Sequence, residues 1–114
     1  GDGTQFKSYL HVSELVEAML LIRTKVFDNN LQVFNIGPEN EDGIHVKTIA
    51  EEVVRMISPS AKIIFGTGNK GWVGDIPNFK YSIDKIKQHG WRPFLNSHQT
   101  VLKAILEIKQ NYFK

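Results

Sequence analysis

Three segments of the chain share one apolar spacing. Leu15, Ala18, Met19, Ile22 and Val26 fall at i, i+3, i+4, i+7 and i+11; Val46, Ile49, Ala50, Val53 and Ile57 repeat the pattern, as do Val101, Ala104, Ile105, Ile108 and Tyr112. That spacing lines one face of an α-helix, so each segment reads as an amphipathic helix burying a stripe. Ser13 and Ser97 stand where N-cap hydroxyls are expected. Ser58-Pro59 closes the second helix, since proline cannot continue the ladder and restricts the residue before it. A shorter fourth helix is expected from Ser82 to about His89, stopped by a left-handed Gly90. Residues 31–36 and 61–65 are rich in β-branched and aromatic side chains and bounded by Gly-Pro or Gly-Thr-Gly, so they read as strands; residues 8–12 are a third candidate. Residues 66–77 carry four of the nine glycines and read as one long loop.

This inventory is α/β, with about four helices and two or three short strands, and it is unbalanced. So little sheet does not cover that many apolar stripes. The expectation is either self-association or a covering surface supplied by a longer parent chain.

Length and composition narrow the classes. A chain of 114 residues and 13.0 kDa is the size of a single domain spanning 1–114. With 41% hydrophobic and 23% charged residues it belongs with globular proteins, and no apolar run approaches the roughly 20 residues of a membrane span. Fourteen Lys+Arg against twelve Asp+Glu leave +2, too little asymmetry for a nucleic-acid or anionic-membrane partner. The absence of cysteine excludes disulfide scaffolds, thiolate nucleophiles and Cys-based zinc sites, and it suits a reducing compartment, the cytoplasm. Gly1-Asp2-Gly3-Thr4, without an initiator Met or a signal-like stretch, reads as a boundary inside a longer protein. Asn111-Tyr112-Phe113-Lys114 reads as a natural C-terminus.

Candidate chemistry is sparse at the level of single residues. Gly66-Thr67-Gly68-Asn69-Lys70-Gly71 matches G-x-G-x-x-G after a predicted strand, but Trp72 to Pro77 cannot open the helix that a dinucleotide fingerprint requires. No strand bearing a ribose-binding acid follows about 20 residues on. His11, His45, His89 and His98 show no metal-ligand spacing, and no nucleophile elbow marks a serine. No catalytic, cofactor-binding or metal-binding residue is assigned. Trp91 and Phe94 are expected in the core.

A longer pattern is more specific. Residues 1–16 resemble G-D-G-x-x-x-R-x-Y-x-H-V-x-D-L, the start of the C-terminal half of extended short-chain dehydrogenase/reductase enzymes, the NAD-dependent sugar-nucleotide epimerase/dehydratase family. The resemblance continues in order through Val33-Phe34-Asn35-Ile36-Gly37, the helix at 46–57, the strand at 61–65, Gly74-Asp75-Ile76-Pro77, Ser82-Ile83-Asp84-Lys85 and Gly90-Trp91-Arg92-Pro93. It covers essentially the whole chain. It implies the C-terminal part of a Rossmann-type fold, contributing one wall of a nucleotide-sugar pocket.

In that family the catalytic Tyr-x-x-x-Lys and the NAD loop lie in the N-terminal part, so NAD would bind outside this segment. The family's diphosphate-gripping Arg falls on Lys7, which keeps the charge but loses the planar fork. A second diphosphate Arg falls on Trp72, a departure that Lys70 on the same loop could offset. Asp75 matches the acid that accepts hydrogen bonds from the nucleotide ribose. The partners implied are a nucleotide-diphosphate sugar, the N-terminal NAD-binding half and further copies of the chain. The parent would be an NAD-dependent epimerase or dehydratase, with the segment alone inactive. The rival reading is a stand-alone protein-interaction module using exposed apolar helix faces.

Overall fold

A computed structural model describes residues 1–70, 72, 74 and 81–113. Six elements follow one another: β1 (Phe6–Lys7), α1 (Val12–Arg23), β2 (Ile44–His45), α2 (Val46–Ile57), α3 (Asp84–Gln88) and α4 (Ser97–Tyr112). The strands pair antiparallel, with Phe6 opposite His45 and Lys7 opposite Ile44.

Three helices lie where the periodicity places them and a fourth lies before Gly90, with different caps. α1 starts one residue before Ser13, and its cap is His11, whose Nδ1 accepts from the Ser13 N–H. It stops at Arg23, so Val26, the last of the predicted stripe, is 97% exposed. Ser97 is the first residue of α4. The cap is Asn96, which forms a reciprocal box with Gln99, each side chain accepting from the other's backbone N–H. That box satisfies two of the N–H groups left over at a helix start. α2 runs over the predicted 46–57 and ends against Ser58. α3 is shorter than expected, beginning at Asp84, with Ser82 Oγ accepting from the Asp84 N–H. Gly90 adopts φ +95° and turns the chain back, so that the Trp91 N–H reaches the Ile86 carbonyl.

The predicted strands differ more. Neither 31–36 nor 61–65 forms a ladder among the described residues, and 8–12 gives way to β1 two residues earlier and to α1. Residues 31–36 are nonetheless extended and alternate in burial, with Phe34 and Ile36 turned inward. Their polar contacts run to side chains and loops instead: Lys85 Nζ donates to the Val33 carbonyl and Asn35 Nδ2 to the Ser82 carbonyl. Strand assignment needs a neighbouring backbone, and alternation alone does not supply one.

Two apolar clusters hold these elements. Ala18, Ile83, Ile86 and Trp91 form the first, flanked by Leu10, Leu21, Ile22 and the extended 31–36 segment. Ile44, Val101 and Ile105 form the second, where α2 packs on α4 through Ile49, Met56 and Ile57. Trp91 is buried as expected, but Phe94 is 89% exposed. The turn that carries it is held by its backbone, so the ring is free to face outward.

Candidate functional site

Lys7 is placed by a run of alternating residues. Gly3 and Gln5 are buried and Lys7 is half-buried, while Thr4, Phe6 and Ser8 face outward. Cross-strand partners share a sheet face, so Lys7 lies on the side of the buried Ile44, and Phe6 packs against His45 on the other, with the rings tilted and 5.0 Å between their centres. The run is fixed to the start of α2. The Val46 and Lys47 N–H groups donate to the Gln5 and Gly3 carbonyls, both at 2.9 Å, replacing the side-chain cap that His45 does not provide. Gly3 is required there: at φ +82° a Cβ would lie 2.7 Å from the Phe65 ring and 2.9 Å from Lys47 Cβ.

The same run reaches the glycine-rich loop at its other end. The Asp2 N–H donates to the Gly68 carbonyl at 2.8 Å and the Gly66 N–H to the Gly1 carbonyl at 3.0 Å. Asp2 Oδ1 accepts from the Thr4 hydroxyl and N–H, and these bonds hold its carboxyl below the usual carboxylate range. Lys70 is exposed, with its carbonyl against Gly1. Trp72 is 71% exposed and its ring covers Gly74. The structure therefore brings the loop bearing Lys70 to Gly1, six positions before Lys7 on the run that carries it. Asp75 lies outside the described residues.

Beyond Lys7 the chain is tied down by a polar staple that sequence reasoning missed. Asp42 Oδ2 accepts from both the N–H and the hydroxyl of Ser97 at 2.7 and 2.9 Å, Ser97 Oγ accepts from the Tyr9 N–H, and Ser8 Oγ donates to the Asp42 carbonyl. A carboxylate at the start of α4 also faces the positive end of the helix dipole. Two further buried polar groups join α1 to the α4 side. Glu14 Oε1 accepts from the Phe94 and Leu95 N–H groups. His11 Nε2 meets Glu107 Oε2 at 3.1 Å, while Ser13 Oγ lies 2.8 Å from Nδ1 and accepts from Lys103 Nζ. Because Nδ1 accepts from a backbone N–H, the neutral ring carries its proton on Nε2 and donates it to Glu107. Glu14, one turn before Ala18 of the apolar stripe, was the available signal for the first of these.

Among the described residues, no three His, Asp or Glu side chains converge to hold a metal ion. No described helix is long and apolar enough to cross a membrane. The 66–71 glycine run opens no helix in its described part.

The architecture has known counterparts. A crystal structure of UDP-galactose 4-epimerase superposes with a TM-score of 0.72 at 27% sequence identity, covering 96% of this chain and 35% of that one. The fold is thus part of the extended short-chain dehydrogenase/reductase fold. In sequence, the chain is 24% identical over 116 residues to a dTDP-D-glucose 4,6-dehydratase of Mus musculus, across 98% of this chain and 32% of that protein. It is 30% identical over 91 residues to a UDP-N-acetyl-alpha-D-glucosaminuronate decarboxylase of Bacillus cytotoxicus, across 77% of this chain and 27% of that protein. In sequence and in fold the chain is similar to part of these epimerase/dehydratase enzymes of the extended short-chain dehydrogenase/reductase class. It spans about a third of the length of the relatives it matches. No protein-family profile matches it.

Proposed function

We propose that this chain is the C-terminal, nucleotide-sugar-binding part of an NAD-dependent epimerase or dehydratase, with NAD and the catalytic Tyr/Lys pair held by an N-terminal half outside it. The observation that carries this reading is the superposition of nearly the whole chain on one third of an epimerase that acts on a UDP-sugar. On this reading Lys7 neutralises the diphosphate, Lys70 adds a second charge from the loop, Trp72 lies along the ligand and Asp75 accepts from the ribose hydroxyls. The chain binds and orients; it carries no redox step of its own. Its partners are the nucleotide sugar, the NAD-binding half and further copies of itself, and its compartment is the cytoplasm.

The surface supports an absent covering partner. The chain exposes 8356 Å², against about 6,300 Å² for a compact 13.0 kDa monomer. Its radius of gyration is 17.0 Å, against roughly 13 Å for a compact domain of this length. Its thinnest dimension is 19 Å, room for about two packed layers where a doubly wound fold has three.

The test is titration with a panel of uridine- and thymidine-diphosphate sugars, followed by NMR. The chain alone should bind at millimolar concentrations, with shifts in residues 3–7 and 66–72 and no response to NAD. In the protein that includes the NAD-binding half, Lys7→Ala should weaken nucleotide-sugar binding by about 1.5–3 kcal/mol, the range for a charge-assisted bond. Lys7→Arg should tighten it by restoring the fork. Asp75→Ala should penalise ribose nucleotides more than their deoxy forms. Unchanged affinity in both alanine variants overturns the assignment. The second reading, a stand-alone interaction module, is favoured by the uncovered apolar face of α1. A coding frame that lacks an upstream strand–glycine loop–helix would select it.

A further inference from the structure

The turn between Trp91 and Ser97 presents a side chain that its own packing does not use. Trp91 anchors one end in the first cluster and the Asn96–Gln99 box fixes the other. Between them the buried Glu14 carboxylate holds the Phe94 and Leu95 N–H groups. On this immobilised turn the Phe94 ring stands almost fully in solvent. Arg92, two residues before it, is also exposed, with a distant contact of 3.9 Å to Glu39. An aromatic and an arginine on a fixed backbone are the residue types that dominate binding hot spots, and little backbone freedom remains to be lost on docking.

The molecule also carries a matching receptor. Residues 9–12 and one face of α4 enclose a groove of about 400 Å³ walled by Tyr9, Leu10, Val12, Ala104 and Ile108, with Tyr112 at its end. Glu107 lines it as well, its side chain half exposed. An apolar slot with a carboxylate on its wall complements a phenyl ring with a guanidinium beside it.

We propose that Phe94 of one copy seats in the 9–12/α4 groove of a second copy, with Arg92 of the inserting copy pairing with Glu107 of the receiving one. Knob and groove are different surfaces, so the contact is heterologous. It propagates head to tail and closes only where the rotation completes a ring. The inference rests on the self-association proposed above and gives it an address.

Sedimentation velocity over a concentration series of the 114-residue chain tests it. Phe94→Ala, Arg92→Glu and Glu107→Arg should each weaken association roughly tenfold or more, the loss expected of a hot-spot side chain. Combining Arg92→Glu with Glu107→Arg should restore it, since the swapped charges meet again in the contact. Phe94→Ala removes an exposed ring, so its thermal melt should match the parent. Glu107→Gln, which keeps an acceptor for His11, controls for local damage at Glu107. Association that survives Phe94→Ala and disappears in Met19→Glu overturns the contact and leaves self-association standing through α1. A monomer at every concentration overturns both, and so does failure of the charge swap, for the contact alone.

Discussion

α1 and α2 are both 12 residues long and carry the same apolar spacing, yet they end in different surroundings. In α2 Lys47, Glu51 and Arg55 are charged and solvated, and the stripe of Ile49, Met56 and Ile57 packs on α4. In α1 the spacing describes only half the helix. Ala18 is buried in the first cluster with Leu21 and Ile22 beside it, but Val16, Met19 and Leu20 add a second apolar face that is open. A helix that is apolar around most of its girth belongs in the middle of a fold. The difference teaches that α2 and α4 complete each other, whereas α1 is built to be sandwiched. That is the behaviour expected where the chain represents a third of its relatives.

The largest expected effect asks whether the two regions fold as one. Trp91→Ala removes a buried indole from the α1–α3 cluster and should cost about 3–5 kcal/mol, by transfer and cavity terms together. Ile105→Ala makes the equivalent wound between α2 and α4, at about 2–5 kcal/mol. Urea melts followed by circular dichroism should show a single transition shifted in both variants. A second transition appearing only in Trp91→Ala would mean that the open α1 side unfolds on its own.

Glu14 is the bolt between α1 and the α4 side. Glu14→Ala leaves the Phe94 and Leu95 N–H groups without their acceptor and should destabilise by about 1.5–3 kcal/mol, the scale of a hydrogen bond to a charged group. Amide exchange resolves it: those two amides should lose protection in the variant, while α2 amides keep theirs. Equal loss along both helices would erase the distinction between the regions.

Much of this comparison was legible in the sequence, and the parts that were not share a cause. Periodicity locates three of the helices because it reports a property of each segment alone, and a glycine stop locates the fourth. The family resemblance, carried by short motifs in order, was legible too. The strands at 31–36 and 61–65 were not, because a strand is a relation between two backbones and the local residues name only one of them. Caps fell short for a similar reason. Serine hydroxyls at 13 and 97 were good candidates, but the Ser97 hydroxyl is engaged by Asp42, and the Asn96-x-x-Gln99 box, visible in the sequence, competes better. Phe94 was read as core from its type, while its exposure depends on Glu14, 80 positions away. Of the site, position 7 could be placed by motif, but whether Lys7, Lys70 and Trp72 share a ligand depends on where a loop docks.

Tyr81 tests the α1–α3 region from the alkaline side. Burial, with the Asp42 charge adding to it, pushes its phenol above the ordinary tyrosine value. The folded state therefore favours the protonated phenol. That stability is fully present below the unfolded value of about 10 and is lost as pH rises through the folded one. Tyr81→Phe should remove this loss and move the alkaline unfolding midpoint upward, read by tyrosinate absorbance and circular dichroism together. An unchanged midpoint would place the alkaline weakness elsewhere.

The smallest expected effect is the sharpest on the comparison itself. If the outer face of α1 is open in this chain, charging it costs almost nothing here. Met19→Glu with Leu20→Lys should change stability by no more than about 0.5 kcal/mol, the usual range for exposed positions. The same pair should reduce binding of dyes that report apolar surface, because Met19 and Leu20 are more than half exposed and adjacent to Val16 on the same helix. In the protein that includes the NAD-binding half, the prediction reverses. There the pair would put charge into a packed seam and should cost several kcal/mol, as buried and unpaired charges do. A neutral result in both contexts would show that α1 meets solvent throughout, and its second apolar face would then be the docking face of a free-standing module. A large loss in the 114-residue chain alone would show that the face is already covered within it.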